Sequence, residues 1–285
     1  MNRTTYALFA LLMGVFTSCS LNESIDDNAV EAVKVTVSVD EGVRTRATDT
    51  SVDRYVIEVY SDNTYNTPVA IFTDGTNRAV SAMGEFTLLL DRSKDYYCLL
   101  WADKAGATSY TVSDLKAVTL VTGQQPVEAW HGTLHIQQGA SATLGVELKR
   151  AVAKLSLLET GVVFSQSKLA VVFSRPTVFN VATTVSSTLT TVIDSIDLSA
   201  GATGTKEAPY KLNTNDMFVL AGASSANVFD LTFTMVRNGQ SEPSFQVTNV
   251  PFQANYCTSV KGHYTTLLSG AFTLRHDEEW YLFDE

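Results

Sequence analysis

Apolar and polar residues alternate along most of this chain with a period of two. The clearest run is Val33, Val35, Val37 and Val39, interleaved with Lys34, Thr36, Ser38 and Asp40. Successive side chains of a strand point to opposite faces, so this run predicts a strand over 33–40 with one apolar face. Tyr55, Ile57 and Val59, then Phe86, Leu88 and Leu90, read the same way, as do YYCLLWAD at 96–103 and Leu144, Val146 and Leu148. KLSLLE, LAVVFS, MFVLAG and FDLTFTMV continue the pattern, and Phe229, Leu231, Phe233 and Met235 share a face in the last. Asn238-Gly239 divides that strand from SFQVTNV and predicts a hairpin, with a longer loop through Pro243 as the alternative. Helical evidence is confined to SDLKAVTLV at 113–121, where Ser-Asp predicts a short helical turn. Many short strands between Gly, Asn, Asp and Ser clusters predict an all-β chain of sandwich type.

The N-terminal segment departs from this period. Residues 6–16 are apolar or small throughout, far short of the roughly 20 residues that cross a bilayer as a helix. With Arg3 ahead of it, the run reads as the core of a signal peptide. Thr17 and Ser18 then lead into Cys19, which resembles the lipobox of bacterial lipoproteins with Phe16 in the slot usually held by Leu. The resemblance implies removal of residues 1–18 and acylation of Cys19, which would hold the chain to the outer membrane through lipid. Residues 19–31 carry Glu23, Asp26, Asp27 and Glu31 and read as an acidic tether. Acidic residues at that place resemble the export signals that carry some lipoproteins to the cell surface. The remaining chain, residues 32–285, is long for one sandwich and predicts two in tandem, over 32–150 and 151–285. RAVAKLSLLETG, near 150–160, reads as a strand crossing between the two bodies.

Charge and chemistry narrow the function. The net charge is −10 and no basic patch is present, which argues against nucleic acid as a partner. Beyond Cys19 only Cys98 and Cys257 remain, too few for a disulfide scaffold, so both are expected to be buried thiols. His131 and His135 would share one face of a strand about 13 Å apart, too far for one metal ion. His276 beside Asp277, Glu278 and Glu279 offers a paired cluster or a calcium site or, as preferred, a solvated acidic segment. Trp101 and Asp103, with Tyr96 and Tyr97 nearby, read equally as a sugar-stacking platform or as an interior aromatic cluster. There is no G-x-S-x-G, H-E-x-x-H, Gly-rich phosphate loop or C-x-x-C. No enzymatic activity, metal or cofactor is expected.

One feature stands out against this background. The strand at 33–40 is succeeded by EGVRTRATDT, which reads as an exposed loop where proteolysis concentrates. Cleavage after Arg46, with Arg44 as second choice, would separate lipid, tether and first strand from the rest. The vacated position would present unpaired backbone and apolar pockets to an incoming strand.

Several stretches together carry a resemblance. They are the lipobox at Cys19, TRAT at 45–48, DYYCLLWAD at 95–103, EAWHG at 128–132 with LKRAVAKLSL at 148–157, and VPFQANYCTSVKGHYTTLLSG at 250–270. The last holds Asn255, Tyr256, Thr258 and Gly262 in an Asn-Tyr-x-Thr-x-x-x-Gly arrangement, with Cys257 where a basic residue is usual. In these the chain resembles the fimbrillin-type subunits of type V pili, including minor and anchoring fimbrial lipoproteins. The resemblance implies two transthyretin-like (Greek-key) β-sandwiches and assembly with other fimbrial subunits by donor-strand complementation. It also implies cleavage after Arg46 in polymerising members, whereas anchoring members keep lipid and first strand. Phe272, Leu274, Trp280 and Leu282 of AFTLRHDEEWYLFDE would supply a donor strand, although its middle is acidic. The alternative expectation is a monomeric surface lipoprotein that binds glycan through exposed Trp101, Trp130 and Trp280.

Overall fold

The structure, a computed structural model, describes residues 30–40, 52–198, 201–224, 226–264 and 272–278. In chain order its strands are β1 (Val30–Val39), β2 (Arg54–Tyr60), β3 (Arg78–Ser81), β4 (Glu85–Asp91), β5 (Tyr96–Asp103), β6 (Tyr110–Thr111) and β7 (Val118–Leu120). Next come β8 (Ala129–Ile136), β9 (Thr143–Arg150), β10 (Val152–Glu159), β11 (Val162–Val163), β12 (Ser167–Asn180), β13 (Val185–Leu198) and β14 (Ala202–Thr203). The last are β15 (Tyr210–Lys211), β16 (Met217–Leu220), β17 (Asn227–Arg237), β18 (Gln240–Ser241), β19 (Phe245–Phe252), β20 (Cys257–Gly262) and β21 (Thr273–Asp277). Among the described residues the only helical segment is one 3-10 turn at Ala105–Ala107. The fold is all-β and sandwich-like, as the alternation predicts.

One sheet has the order β3-β2-β5-β8-β9-β1-β4. Between β8 and β9 only Trp130↔Arg150 and His131↔Lys149 pair, so the sheet turns over on itself there. The two halves approach closely at Gly132, where a Cβ would come within 2.7 Å of Leu148 Cδ2. The two halves enclose a core built from Val35, Leu88, Cys98, Leu100, Trp130 and Leu148. A second core lies between the sheet of β15, β10, β20 and β21 and the sheet of β18, β17 and β12, with Leu155, Val171, Phe233 and Phe252 at its centre.

A third apolar cluster joins these bodies. β5 is buried on both faces: Leu99 and Trp101 point away from the first core and meet Leu115, Val118, Phe179 and Leu220. β7 pairs with β12 through Val118↔Phe179, so residues 110–120 extend a sheet built mainly from later parts of the chain. Ala151 alone separates β9 from β10, and Ala151 and Val152 are fully buried. The stretch read as a crossing strand therefore passes directly from one sheet to the next.

One local expectation changes and another gains detail. The helical turn at 113–121 reduces to a turn at Asp114, whose carbonyl accepts from the Ala117 amide at 3.0 Å, and Val118–Leu120 forms β7. Cross-strand partners on β6 and β12 override the weak local preference for helix. At Asn238-Gly239 both residues have positive φ (49° and 77°), the conformation of a tight two-residue turn. β18 then stops at Ser241, and residues 242–244 separate it from β19, which resumes pairing with β17.

Candidate strand-exchange site

The segment singled out by its alternating valines is an interior strand. β1 runs antiparallel to β4, from Val30↔Asp91 to Thr36↔Glu85, and parallel to β9, from Lys34↔Thr143 to Val39↔Leu148. Its valines insert fully: Val33, Val35 and Val37 are 2%, 0% and 5% exposed and share a core with Phe86, Leu88, Leu90 and Leu148. The opposite face is polar. On it Lys34 Nζ lies 3.1 Å from Glu85 Oε1; at the exposed start of the strand, on the valine side, Arg92 Nη1 donates to Glu31 Oε2 at 2.7 Å. Each buried valine stabilises by about 1.5–3 kcal/mol, against roughly 5–15 kcal/mol for a whole domain. A slot emptied of β1 would therefore have to be refilled or would collapse.

The C-terminal end of β1 is held by a defined set of contacts. The Val37 amide donates to the Gly84 carbonyl at 2.8 Å. Gly84 has φ +69°, and a Cβ there would come within 2.6 Å of the Val37 carbonyl oxygen, so only glycine fits this turn. Gly84→Ala is expected to destabilise by about 2 kcal/mol, read as a lower urea midpoint with unchanged slope. The Asp40 amide donates to Leu148 O at 2.8 Å, and the Asp40 carbonyl accepts from Trp130 Nε1 at 3.2 Å.

Trp130 in turn belongs to a buried cluster. The Arg150 guanidinium lies 5.9 Å from its ring centre, donates through Nε to Glu128 Oε1 at 3.1 Å, and donates through Nη1 to Asn255 Oδ1 at 3.1 Å. The EAWHG, LKRAVAKLSL and QANYC stretches thus meet at one point. Their role is positional: they tie the end of β1 to the place where β9 becomes β10. The sequence marks these stretches without showing that they converge, because the partners stand 22 and 105 residues apart. Gly262 belongs to the same pattern for a steric reason, since Phe272 lies against its Cα.

Other candidates resolve differently. Cys19, Arg44, Arg46 and Trp280 lie outside the described residues, with 41–51 falling between β1 and β2. Trp101 and Trp130 are 0% and 2% exposed, which overturns their expected role as an exposed sugar platform. Their rings are core, and the Trp101 indole is satisfied by donating to Asp103 Oδ2 at 3.0 Å. His276 stacks on Tyr256 at 4.6 Å and bonds Thr258 Oγ1 at 2.9 Å, while Asp277 pairs with Arg275 and Glu278 accepts from the Tyr256 hydroxyl. Those two carboxylates are directed at protein partners. Among the described residues no group of three His, Cys, Asp or Glu side chains is placed to hold a metal ion. Cys98 and Cys257 are buried thiols outside any disulfide, and burial pushes the Cys98 thiol up to about 12.

His131 and His135 do share a face of β8, but with unlike surroundings. His135 stacks on Tyr97 at 4.4 Å. His131 packs 4.9 Å from Phe179 between the bodies, and among the described residues neither of its ring nitrogens has a hydrogen-bond partner. Burial, aided by the Lys149 charge, lowers its pKa from 6.5 to about 4. A depressed histidine pKa means that the neutral ring stabilises the fold. Its contribution is full above pH 6.5 and is lost as pH falls toward 4, amounting to roughly 3 kcal/mol. Glu58, whose pKa burial raises, acts in the opposite direction, so the comparison of wild type with His131→Phe isolates the histidine. The variant is expected to lose less stability between pH 7 and pH 4, as tracked by near-UV circular dichroism.

The model of a family of unknown function (DUF6562) matches residues 26–281 of the chain. No curated protein matches the sequence. Among crystal structures, a candidate cell adhesion protein from Bacteroides eggerthii aligns at 12% identity and a TM-score of 0.57, covering 88% of this chain and 96% of that one. A candidate polysaccharide-binding protein from Bacteroides thetaiotaomicron aligns at 12% identity and 0.52, covering 87% and 98%. A candidate adhesin from Bacteroides ovatus aligns at 9% identity and 0.51, covering 86% and 94%. At such identities the likeness is one of fold.

Proposed function

We propose that this chain, which belongs to the DUF6562 family, is a non-enzymatic surface adhesion protein of fimbrial type whose first sandwich can take an incoming strand in place of β1. In this reading acylated Cys19 attaches it to the outer membrane, residues 19–31 form the tether, and two sandwiches over 32–150 and 151–285 form the body. Cleavage after Arg46, with Arg44 as second choice, detaches β1 from that body and converts an anchored protein into a subunit. Without cleavage the same protein serves as an anchor. The observation that carries the reading is the position of β1, paired on both sides and buried through Val33, Val35 and Val37. Solved proteins of the same fold that are candidate adhesion proteins lend it support.

The glycan alternative through tryptophan platforms is not retained, because Trp101 and Trp130 lie in the core. N-terminal sequencing of protein recovered from the cell surface tests the proposal. A new N-terminus at Ala47, together with detergent-resistant ladders, is the expected signature of a polymerising subunit. Acylated Cys19 in all material marks the anchor, and an unmodified N-terminus upstream of Cys19 contradicts both. Cys19→Ala is expected to move the protein from the membrane to the soluble fraction, and unchanged fractionation would refute the lipid attachment.

A further inference from the structure

The slot occupied by β1 states what a replacement strand must contain. It takes three apolar side chains at alternate positions, where Val33, Val35 and Val37 are 2%, 0% and 5% exposed. Between them the strand shows Lys34 beside Glu85 and the small polar Thr36 and Ser38, all facing outward. The replacement must also run parallel to β9 and antiparallel to β4. The pockets are valine-sized, and larger rings would overpack them.

Residues 271–285, the segment that resemblance offers as a donor, do not meet this requirement. Even the registers of alternate residues that hold two large apolar side chains, such as Phe272-Leu274-His276, Trp280-Leu282-Asp284 and Tyr281-Phe283-Glu285, fail at the third position. Every possible register places at least one of Arg275, His276, Asp277, Glu278, Glu279, Asp284 or Glu285 in a pocket. An ionised side chain there would be buried among Phe86, Leu88, Leu90 and Leu148 without a partner, which is costly. The start of this segment also has a place in its own fold. β21 pairs with β20, Phe272 stacks on Phe245 at 4.9 Å, and Phe272 meets the Tyr264 ring edge-on at 5.0 Å. Residues 30–40 of a second copy do fit, but cleavage after Arg46 removes them from any body they would link.

Resting on the strand-exchange reading above, we infer that the strand accepted by this chain comes from a chain of different sequence, one supplying three alternate β-branched apolar residues with small polar or basic residues between them. Copies of this chain do not polymerise head to tail through residues 271–285. The protein is an acceptor for another subunit, which places it at a junction in an assembly and not along a uniform shaft.

The test uses the full chain with a single-site protease sequence introduced between Arg44 and Ala47. After cleavage, fluorescent peptides are added under mildly destabilising conditions and their incorporation is read by anisotropy. A peptide of residues 30–40 is expected to exchange into the slot, and a peptide of residues 271–285 to bind at least about a hundredfold more weakly. Comparable incorporation of the 271–285 peptide overturns this inference while leaving the strand-exchange reading intact. Failure of the 30–40 peptide to exchange overturns the strand-exchange reading itself. A third peptide, residues 30–40 with Val35→Asp, is expected to fail, and its incorporation would show that the pockets do not select.

Discussion

Val35→Asp is expected to destabilise the protein by about 4–5 kcal/mol, enough to unfold the core that β1 helps to build in most preparations. Val35 is completely buried at the middle of β1, between Phe86 on one neighbour and Leu144 on the other. A carboxylate there would lie in a core built almost wholly of aliphatic and aromatic side chains, far from the water that solvates it in the unfolded chain. The adjacent residue is the control. Thr36 is exposed and lies opposite Glu85, so Thr36→Lys is expected to stay within about 0.5 kcal/mol of wild type. Urea denaturation monitored by tryptophan fluorescence separates the two outcomes, because Trp130 reports on this core. Equal effects at 35 and 36 would mean that β1 lies loosely on the surface.

A comparable loss is expected from Arg54→Met. Asp103 is fully buried and accepts from Arg54 Nε at 2.7 Å, Arg54 Nη2 at 2.6 Å and Trp101 Nε1 at 3.0 Å. Arg54 also donates to the Tyr110 carbonyl at 3.2 Å, so one guanidinium joins β2, β5 and β6. Removing it strands a carboxylate in the interior and is expected to cost about 3–5 kcal/mol. The double variant Arg54→Met with Asp103→Leu removes both charges and is expected to recover most of that loss, giving a strongly favourable coupling in a double-mutant cycle. Additive losses would show that the pair does not act as one unit.

How far the fold was legible in the sequence depends on how local each signal is. Alternation is local, so β1, β2, β4, β5, β9 and β17 could be read from residue spacing, and so could the Asn238-Gly239 turn. Sheet order is not local. Nothing in the valine run indicates that β1 would lie parallel to β9, more than a hundred residues later. The burial of Trp101 was ambiguous for the same reason: YYCLLWAD is apolar on both faces, and only the packing of Leu115, Val118 and Phe179 decides which face Trp101 joins. Of the candidate site, the strand itself was legible. Gly84 and the cluster of Trp130, Glu128, Arg150 and Asn255 that hold its end were not, because each depends on partners brought together by the sheet's turn between β8 and β9.

In the strand-exchange reading, β1 fills a slot that the rest of the protein cannot leave empty but that another strand can occupy. Its most direct test is the thermal midpoint of the chain after site-specific cleavage between Arg44 and Ala47, before and after β1 is displaced and washed away. The cleaved but intact complex should melt near wild type, the stripped body should melt well below it, and added peptide of residues 30–40 should restore the original midpoint. A stripped body that keeps the wild-type midpoint, or one that the peptide does not restore, would show that β1 is not an exchangeable strand.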